Sequence, residues 1–460
     1  MKHGNNFGAA LLAVVGLLGL AGCARYHPRP LAAQQTATDF ATRTLADPGL
    51  KTFLETNLPG QVISWPLPEW DFHQLALAAC YFHPDLAVAR ARWDVTRSGQ
   101  ITAGERPNPV AILLPGYNAT IGPPWLLGTR VEIPIETAGK RGHRITRAGH
   151  LAEAARLNIA TVAWQVRSRV RRSLLELQAA RETEALLQRQ QATQAGIAKL
   201  LEAQLAAGAV SPFEVSQAHV AHDTTRLALH DAERLAAEAR AQLADALSLP
   251  GTALVGVPLT FDTTAPPALP APEVRRQAVL HRPDLLGVLA EYAAAQAALQ
   301  LEIAKQYPDL NLGPGYLLDR TDNRWSLGVM ITLPVFNQNQ GAIAEAEARR
   351  TETAARFTAL QARVLGEIDR AIAGYRALLA KTATADALLA RLQAQEKSAQ
   401  EMVAAGELSR LALLTAQLEL STGRLARLDT QVKTRLALAA LEDAVQGPLS
   451  ATVPPTPPQP

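Results

Sequence analysis

His219 and His222 stand three residues apart with Asp223 beside them, the pattern in this chain closest to metal-binding chemistry. On a helix, residues three apart share a face, so two imidazoles and a carboxylate there could ligate a transition metal. The helix around them is polar, and on such a helix solvated or interface histidines are the commoner outcome. His143 and His150 make a weaker case still. No metal site and no cofactor are expected. The sequence holds no Gly-rich phosphate loop after a strand, no HExxH and no nucleophile motif, so the expectation is a non-enzyme.

A different chemistry is written at the N-terminus. Lys2 supplies a positive start, and Ala9 to Leu20 is an apolar run too short to span a bilayer. Leu20-Ala21-Gly22-Cys23 then resembles the bacterial lipobox, in which Cys23 is lipidated and becomes the mature N-terminus. Ala24 follows, where an aspartate would favour retention in the inner membrane, so sorting to the outer membrane is expected. Ordinary signal cleavage nearby, leaving Cys23 a free thiol, is the alternative. Residues 1–22 therefore read as a lipoprotein signal peptide and 23–70 as a lipid-anchored N-terminal linker.

The elements that position these residues follow from composition. The 460 residues are 48% hydrophobic, 19% charged and only 5% aromatic, a balance suited to long helices packed through small side chains. A net charge of +3, with both signs interspersed, argues against a nucleic-acid partner. Two cysteines exclude a disulfide framework, and Cys80 reads as a small apolar filler. No stretch after residue 22 is apolar for the length of a spanning helix.

The chain repeats itself. His83-Pro84-Asp85-Leu86 recurs as Arg282-Pro283-Asp284-Leu285, and Gly116-Tyr117 as Gly315-Tyr316, each 199 positions on. Trp125, Leu127-Gly128 and Pro134 recur as Trp325, Leu327-Gly328 and Pro334, 200 positions on. Ala207-Gly208 with Ser211 and Ala218 recurs as Ala405-Gly406 with Ser409 and Ala416, 198 positions on. This is a tandem duplication. The first copy is placed at 71–265 and the second at 273–447, joined by a stiff Pro-rich linker at 266–272 and followed by a disordered Pro-rich tail at 448–460.

Each copy has one internal order. A helix, Asp71 to Arg106 or Glu273 to Gln306, leads into a β-hairpin at about 109–135 or 309–335. In the hairpins Val131, Ile133 and Ile135 oppose Arg130 and Glu132, while Leu327, Val329, Ile331 and Leu333 oppose Ser326, Gly328, Met330 and Thr332. A very long helix follows, Gly139 to Ala206 or Gln340 to Ala404. It breaks at Gly208 or Gly406, and a second long helix returns to about Leu249 or Gln446. Heptad stripes, Phe213, Val220 and Leu227 in one copy and Leu411, Leu418, Leu425 and Val432 in the other, predict coiled-coil packing.

Strands of about ten residues suit a tilted membrane β-strand. Tyr117, Trp125, Tyr316 and Trp325 lie near strand ends, where an aromatic girdle would sit. A small soluble β-subdomain is the plainer reading. If the strands span a membrane, four cannot close a barrel, so several chains must share one.

In this order, duplication and motif set the chain resembles the TolC-like outer-membrane efflux channel family, over about residues 60–447. Tyr307-Pro308-Asp309-Leu310, Leu333-Pro334-Val335-Phe336 and the Gly-x-x-Ser turns at Gly208-Ser211 and Gly406-Ser409 carry the resemblance. Pro107-Asn108-Pro109 with Gly139-Lys140-Arg141-Gly142, and the run from Phe336 through Asn339-Gln340-Gly341 to Ala346, look like its CzcC-like cation-efflux branch. The resemblance implies a mainly α chain with a small transmembrane β part, and a homotrimer with a 12-stranded barrel continuous with a periplasmic α-barrel. It implies outer-membrane lipid around the barrel, a periplasmic adaptor protein and a proton-driven inner-membrane pump. Adaptor docking would fall on the tips, Gly208, Val210, Ser211, Gly406, Leu408 and Ser409. Many members carry an Asp six residues after the tip glycine. Here Glu214 and Ala412 stand there, so a gate would rest on Glu214, with Arg410 as partner across neighbouring hairpins. Cargo is open between heavy-metal cations and organic toxicants or drugs. A pore-less, lipid-anchored coiled-coil protein is the rival from another class. A periplasmic adaptor is a second rival, but it would need a lipoyl-like β-domain and a single hairpin.

Overall fold

The computed structural model describes residues 24–60, 64–261 and 271–449. The expected signal peptide, Cys23, most of the expected 266–272 linker and all but the first two residues of the expected 448–460 tail lie outside the described residues. The N-terminal unit, up to Arg43, contains helix α1 (Ala33–Ala41). The second unit begins at Thr44 and holds everything else.

Within that unit, α2 (Pro48–Asn57) starts at an Asp47 N-cap, with proline in its first turn. Helix α3 (Phe72–Phe82) begins with a full capping box, Asp71 accepting from the Gln74 backbone and Gln74 reaching back. Helix α4 (Pro84–Gly104) follows directly. The single helix expected from Asp71 to Arg106 is thus two. His83 is extended (φ −71°, ψ 123°), and its Nδ1 accepts from the Asp85 backbone at 3.2 Å, so it ends one helix and caps the next. The second copy breaks at the matching position, Arg282 (φ −67°, ψ 120°), between α7 (Ala271–His281) and α8 (Pro283–Ala304), without a side-chain cap. Proline forces the break in both copies because its ring restricts the preceding residue to extended backbone.

Strands β1 (Val110–Tyr117) and β2 (Trp125–Ile135) form the first hairpin, β3 (Leu310–Asp319) and β4 (Asp322–Ile331) the second. They join in one antiparallel sheet of order β1-β2-β3-β4, so β1 and β4 are free edges within the chain.

The long helices are α5 (Lys140–Ala206, 67 residues) and α9 (Gln340–Ala404, 65 residues), each roughly 100 Å at 1.5 Å per residue. Each is entered through a left-handed residue, Gly139 (φ 71°) and Asn339 (φ 65°), which turns the chain from strand to helix. Helix α6 (Pro212–Ala246) returns along α5, and α10 (Arg410–Val445) along α9 while also lying against α5.

The buried seam of α6 is Thr225, Leu229, Ala232, Ala236, Ala239, Leu243 and Ala246, alternating four and three residues as a coiled-coil seam must. The heptad stripe expected there, Phe213, Val220 and Leu227, faces the other way: these are 68%, 64% and 68% exposed. Small alanines, weak as a sequence signal, fill the true seam. In the second copy Leu411, Leu418, Leu425 and Val432 are half-buried.

Two apolar clusters support the helices. The larger joins Leu50, Leu54, Trp70 and Leu75 to Val166, Val170, Leu177 and Leu243. The smaller joins Leu285, Val364 and Ile368 to Leu441.

Candidate functional site

Two places matter, the sheet and the helix tips. In the sheet, register decides which residues share a face. Tyr117 pairs with Trp125, Leu113 with Thr129, Thr129 with Tyr316 and Tyr316 with Trp325. Following these pairs collects Leu113, Tyr117, Trp125, Leu127, Val131, Ile133, Ile135, Leu310, Leu312, Leu318, Trp325, Leu327, Val329 and Ile331 on one side. No charged residue falls among the strand positions on that side, and Thr129 and Asn323 are its polar members. The opposite side carries every charge of the strands, Arg130, Glu132, Asp319, Asp322 and Arg324, together with most of their glycines. The apolar side is uncovered in the chain: Trp125 is 67% exposed and Trp325 82%.

The four aromatics expected at strand ends meet in two pairs on this apolar face. Tyr117 and Trp125 rings lie 5.0 Å apart, Tyr316 and Trp325 rings 4.8 Å apart.

At the helix-facing end of the sheet, a polar clamp ties the two copies together. Buried Lys140 donates to Asp309 Oδ1 at 2.7 Å and to the Tyr307 carbonyl at 2.6 Å. The Thr137 backbone also donates to Asp309, at 2.9 Å. Arg144 pairs with Glu136 and, with Arg141, donates to the last carbonyls of α4 at Ala103, Gly104 and Glu105. The Gly-Lys-Arg-Gly run thus serves the junction of strand and helix. Burial alone would raise the Asp309 carboxyl, but Lys140 and Thr137 outweigh it and hold the group below its ordinary value of 3.8. Hydrogen bonding from Arg144 likewise lowers Glu136. A carboxylate with a depressed folded value stabilises above its unfolded value and loses that contribution as pH falls through the folded one. Asp309→Asn is therefore expected to lower Tm at pH 7. The gap should close as pH drops below about 4. A constant gap across that range would show that the ion pair is not its cause.

At the first tip, Gly208 takes φ 72°, and Gly208 and Ala209 donate back to the Leu205 and Gln204 carbonyls, closing a Schellman turn. Gly406 (φ 78°) and Glu407 do the same to Val403 and Met402. Ser211 then caps α6 in a reciprocal box with Glu214, whose Oε2 accepts from the Ser211 backbone at 2.7 Å. Ser409 caps α10 through the Ala412 backbone, without a reciprocal partner. Glu214 is therefore engaged on its own helix, a role its Ser-x-x-Glu spacing could have signalled. Among the described residues it makes no ion pair with Arg410 within one chain. Val210 and Leu408 are half-buried in the turns.

The histidines do not converge. His219 Nε2 lies 3.0 Å from Glu202 across the hairpin, and His222 Nδ1 3.4 Å from neighbouring Asp223. Among the described residues no group of three or more His, Cys, Asp or Glu is arranged to hold a metal ion.

Sequence reasoning missed a further buried cluster. Arg167 stacks on Phe72 (4.7 Å) and Trp164 (4.6 Å), and with Arg171 it faces buried Glu442 of α10, Arg167 at 3.7 Å. Trp164 and Ser168 donate to Asp443. Burial lowers the Arg167 guanidinium.

The profile of the outer membrane efflux protein family matches residues 118–248 and 274–446, one stretch per copy, and the chain belongs to that family. It is similar to the cobalt-zinc-cadmium resistance protein CzcC of Cupriavidus metallidurans, at 30% identity over 265 residues, covering 56% of this chain and 61% of that protein. It is also similar to the pyoverdine export outer membrane protein OpmQ of Pseudomonas aeruginosa, at 26% over 287 residues, covering 56% and 59%. The matched region thus spans about three-fifths of these relatives. Among solved structures, the outer-membrane channel OprN superposes with TM-score 0.68 at 19% identity, covering 93% of this chain and 99% of that one. CusC superposes with TM-score 0.66 at 19% identity, covering 85% and 96%. VceC of Vibrio cholerae gives 0.68 at 19%, covering 82% and 97%. These likenesses show a mainly helical fold with a small antiparallel sheet, shared with outer-membrane channels.

Proposed function

We propose that this chain is one third of an outer-membrane efflux channel. The observation that carries the reading is the sheet: one face without a charge, one face bearing every charge of the strands, and two free edges. An open edge cannot face lipid, because its backbone groups would go unsatisfied. A sheet with one apolar side meets that demand by closing with further copies, β4 of one against β1 of the next. Three four-stranded sheets give the twelve-stranded barrel of the TolC-like family.

The helices support the same closure. The second-copy stripe Leu411, Leu418, Leu425 and Val432 lies on α10, which packs on α5 of the first copy. Its repeat counterpart, Phe213, Val220 and Leu227 on α6, is uncovered, as are Val88, Val95 and Ile101 on α4. By the duplication, their missing cover is α9 of a neighbouring chain. Each hydrophobic stripe then finds a partner, and the helices continue the barrel into the periplasm. Lipidation at Cys23 would add a second anchor. The chain itself performs no bond chemistry in this reading, and transport energy comes from a proton-driven inner-membrane pump through a periplasmic adaptor.

One cysteine on β1 and one on β4, such as Ala111→Cys with Leu327→Cys, tests closure. Scanning β4 positions against Ala111 should yield covalent trimers on oxidation for at least one register, and no trimer at any register would refute it.

The tips Gly208, Val210, Ser211, Gly406, Leu408 and Ser409 are the proposed adaptor-docking surface. Gly208→Trp or Gly406→Trp should spare assembly yet abolish adaptor cross-linking and efflux, since both glycines have open space around them and the strain of a side chain at their positive φ is confined to the turn. Normal efflux from both variants would count against docking there. A Glu214–Arg410 lock would have to bridge two chains. For cargo, the likeness to CzcC favours heavy-metal cations, and the likeness to OpmQ keeps organic cargo as the second reading. A deletion strain challenged with metals and with organic toxicants separates the two.

A further inference from the structure

We infer that Arg130 sets the ion selectivity of the barrel, as a positive ring part-way along its lumen. The inference rests on the channel reading above. Arg130 stands in the middle of β2, paired with Ile112 on β1 and Gly315 on β3. It lies on the charged face, whose residues turn into the lumen once the apolar face meets lipid. Its side chain runs over a floor of glycine: a Cβ on Gly313 would stand 3.5 Å from Arg130 Cδ, and one on Gly315 3.8 Å from Nε. Glycine at both positions leaves room for the guanidinium to lie across the neighbouring strand.

The charges on this face are ordered along the strands. Glu132 lies two residues nearer the helices. Toward the loops come Asp319, Arg320, Asp322 and Arg324, two carboxylates against two guanidinium groups per chain, with Arg324 held 3.5 Å from Asp319 and 3.6 Å from Asp322. Among the described residues Arg130 makes no ion pair, unlike Arg324, so its charge stands uncompensated in mid-strand. Removing it leaves Glu132 as the unpaired charge of the strands on that face. A charged ring acts over about a Debye length, ~10 Å at 0.1 M salt and ~30 Å at 0.01 M.

Reversal potentials of the purified full-length protein in planar bilayers test this, in a KCl gradient of about 10 against about 100 mM. Arg130→Ser is expected to raise the K⁺/Cl⁻ permeability ratio by about twofold or more, Arg130→Lys to leave it unchanged, and the difference to vanish near 1 M salt. An unchanged ratio in Arg130→Ser channels of normal conductance would overturn the inference and leave the channel standing. Better assembly of Arg130→Ser with no change in selectivity would place Arg130 against lipid and also overturn it. If the wild type forms no conducting channel, the channel reading itself falls, and the inference with it.

Discussion

Leu327→Arg is expected to block assembly, whereas Met330→Arg on the same strand is expected to assemble. Leu327 lies near the middle of β4, paired with Pro314, on the face that carries no charged residue. Met330 pairs with Asn311 on the opposite face. An arginine on the lipid side of a membrane strand costs about 2–4 kcal/mol at the midplane, and in the proposed trimer each copy would bear it. In the lumen the same guanidinium stays hydrated. The fraction of protein recovered as trimer after detergent extraction reads the difference directly. Equal recovery of the two variants would mean that the faces are assigned wrongly or that the sheet does not meet lipid.

Glu442→Ala is expected to destabilise the chain by about 3 kcal/mol or more, the range for removing one partner of a buried charge pair. Glu442 is 5% exposed near the end of α10 and faces Arg167 and Arg171 of α5. Its loss leaves two guanidinium groups facing a space that water reaches poorly, one of them packed between Phe72 and Trp164. The contact joins the end of the second copy to the long helix of the first, so its failure loosens the pairing of the two copies. Glu442→Gln, which keeps volume and one acceptor, should cost less. Thermal unfolding of the extracted protein distinguishes them; a Glu442→Ala Tm equal to wild type would show the cluster to be incidental. Exposed pairs such as Arg234–Glu238 make a suitable control, because solvent-exposed ion pairs contribute little to stability.

What could be read from the sequence was whatever repeats or alternates locally. The offsets linking Gly208 to Gly406 and Trp125 to Trp325 revealed the duplication, and the two tip glycines do take the left-handed conformation their turns require. Alternation in Val131–Ile135 and Leu327–Leu333 marked the strands. Which faces join was not legible, because register is a property of pairs such as Thr129 and Tyr316, far apart in the chain. The same distance in sequence hid the clamp between Lys140 and Asp309 and the cluster at Glu442. The helix expected across His83 failed for a different reason: Pro84 suits a first turn as well as it ends the previous helix, and the apolar pattern runs on through the break. On α6, large residues advertised the stripe Phe213, Val220 and Leu227, while the buried seam is built mostly from alanine. The advertised stripe is the one left exposed in the chain.

Whether these chains close into a pore is read by single-channel recording of the purified protein in planar bilayers. Discrete conductance steps carried by the trimeric fraction are expected. Protein that inserts or binds without any conductance step, or that is monomeric with its strands intact, would contradict closure.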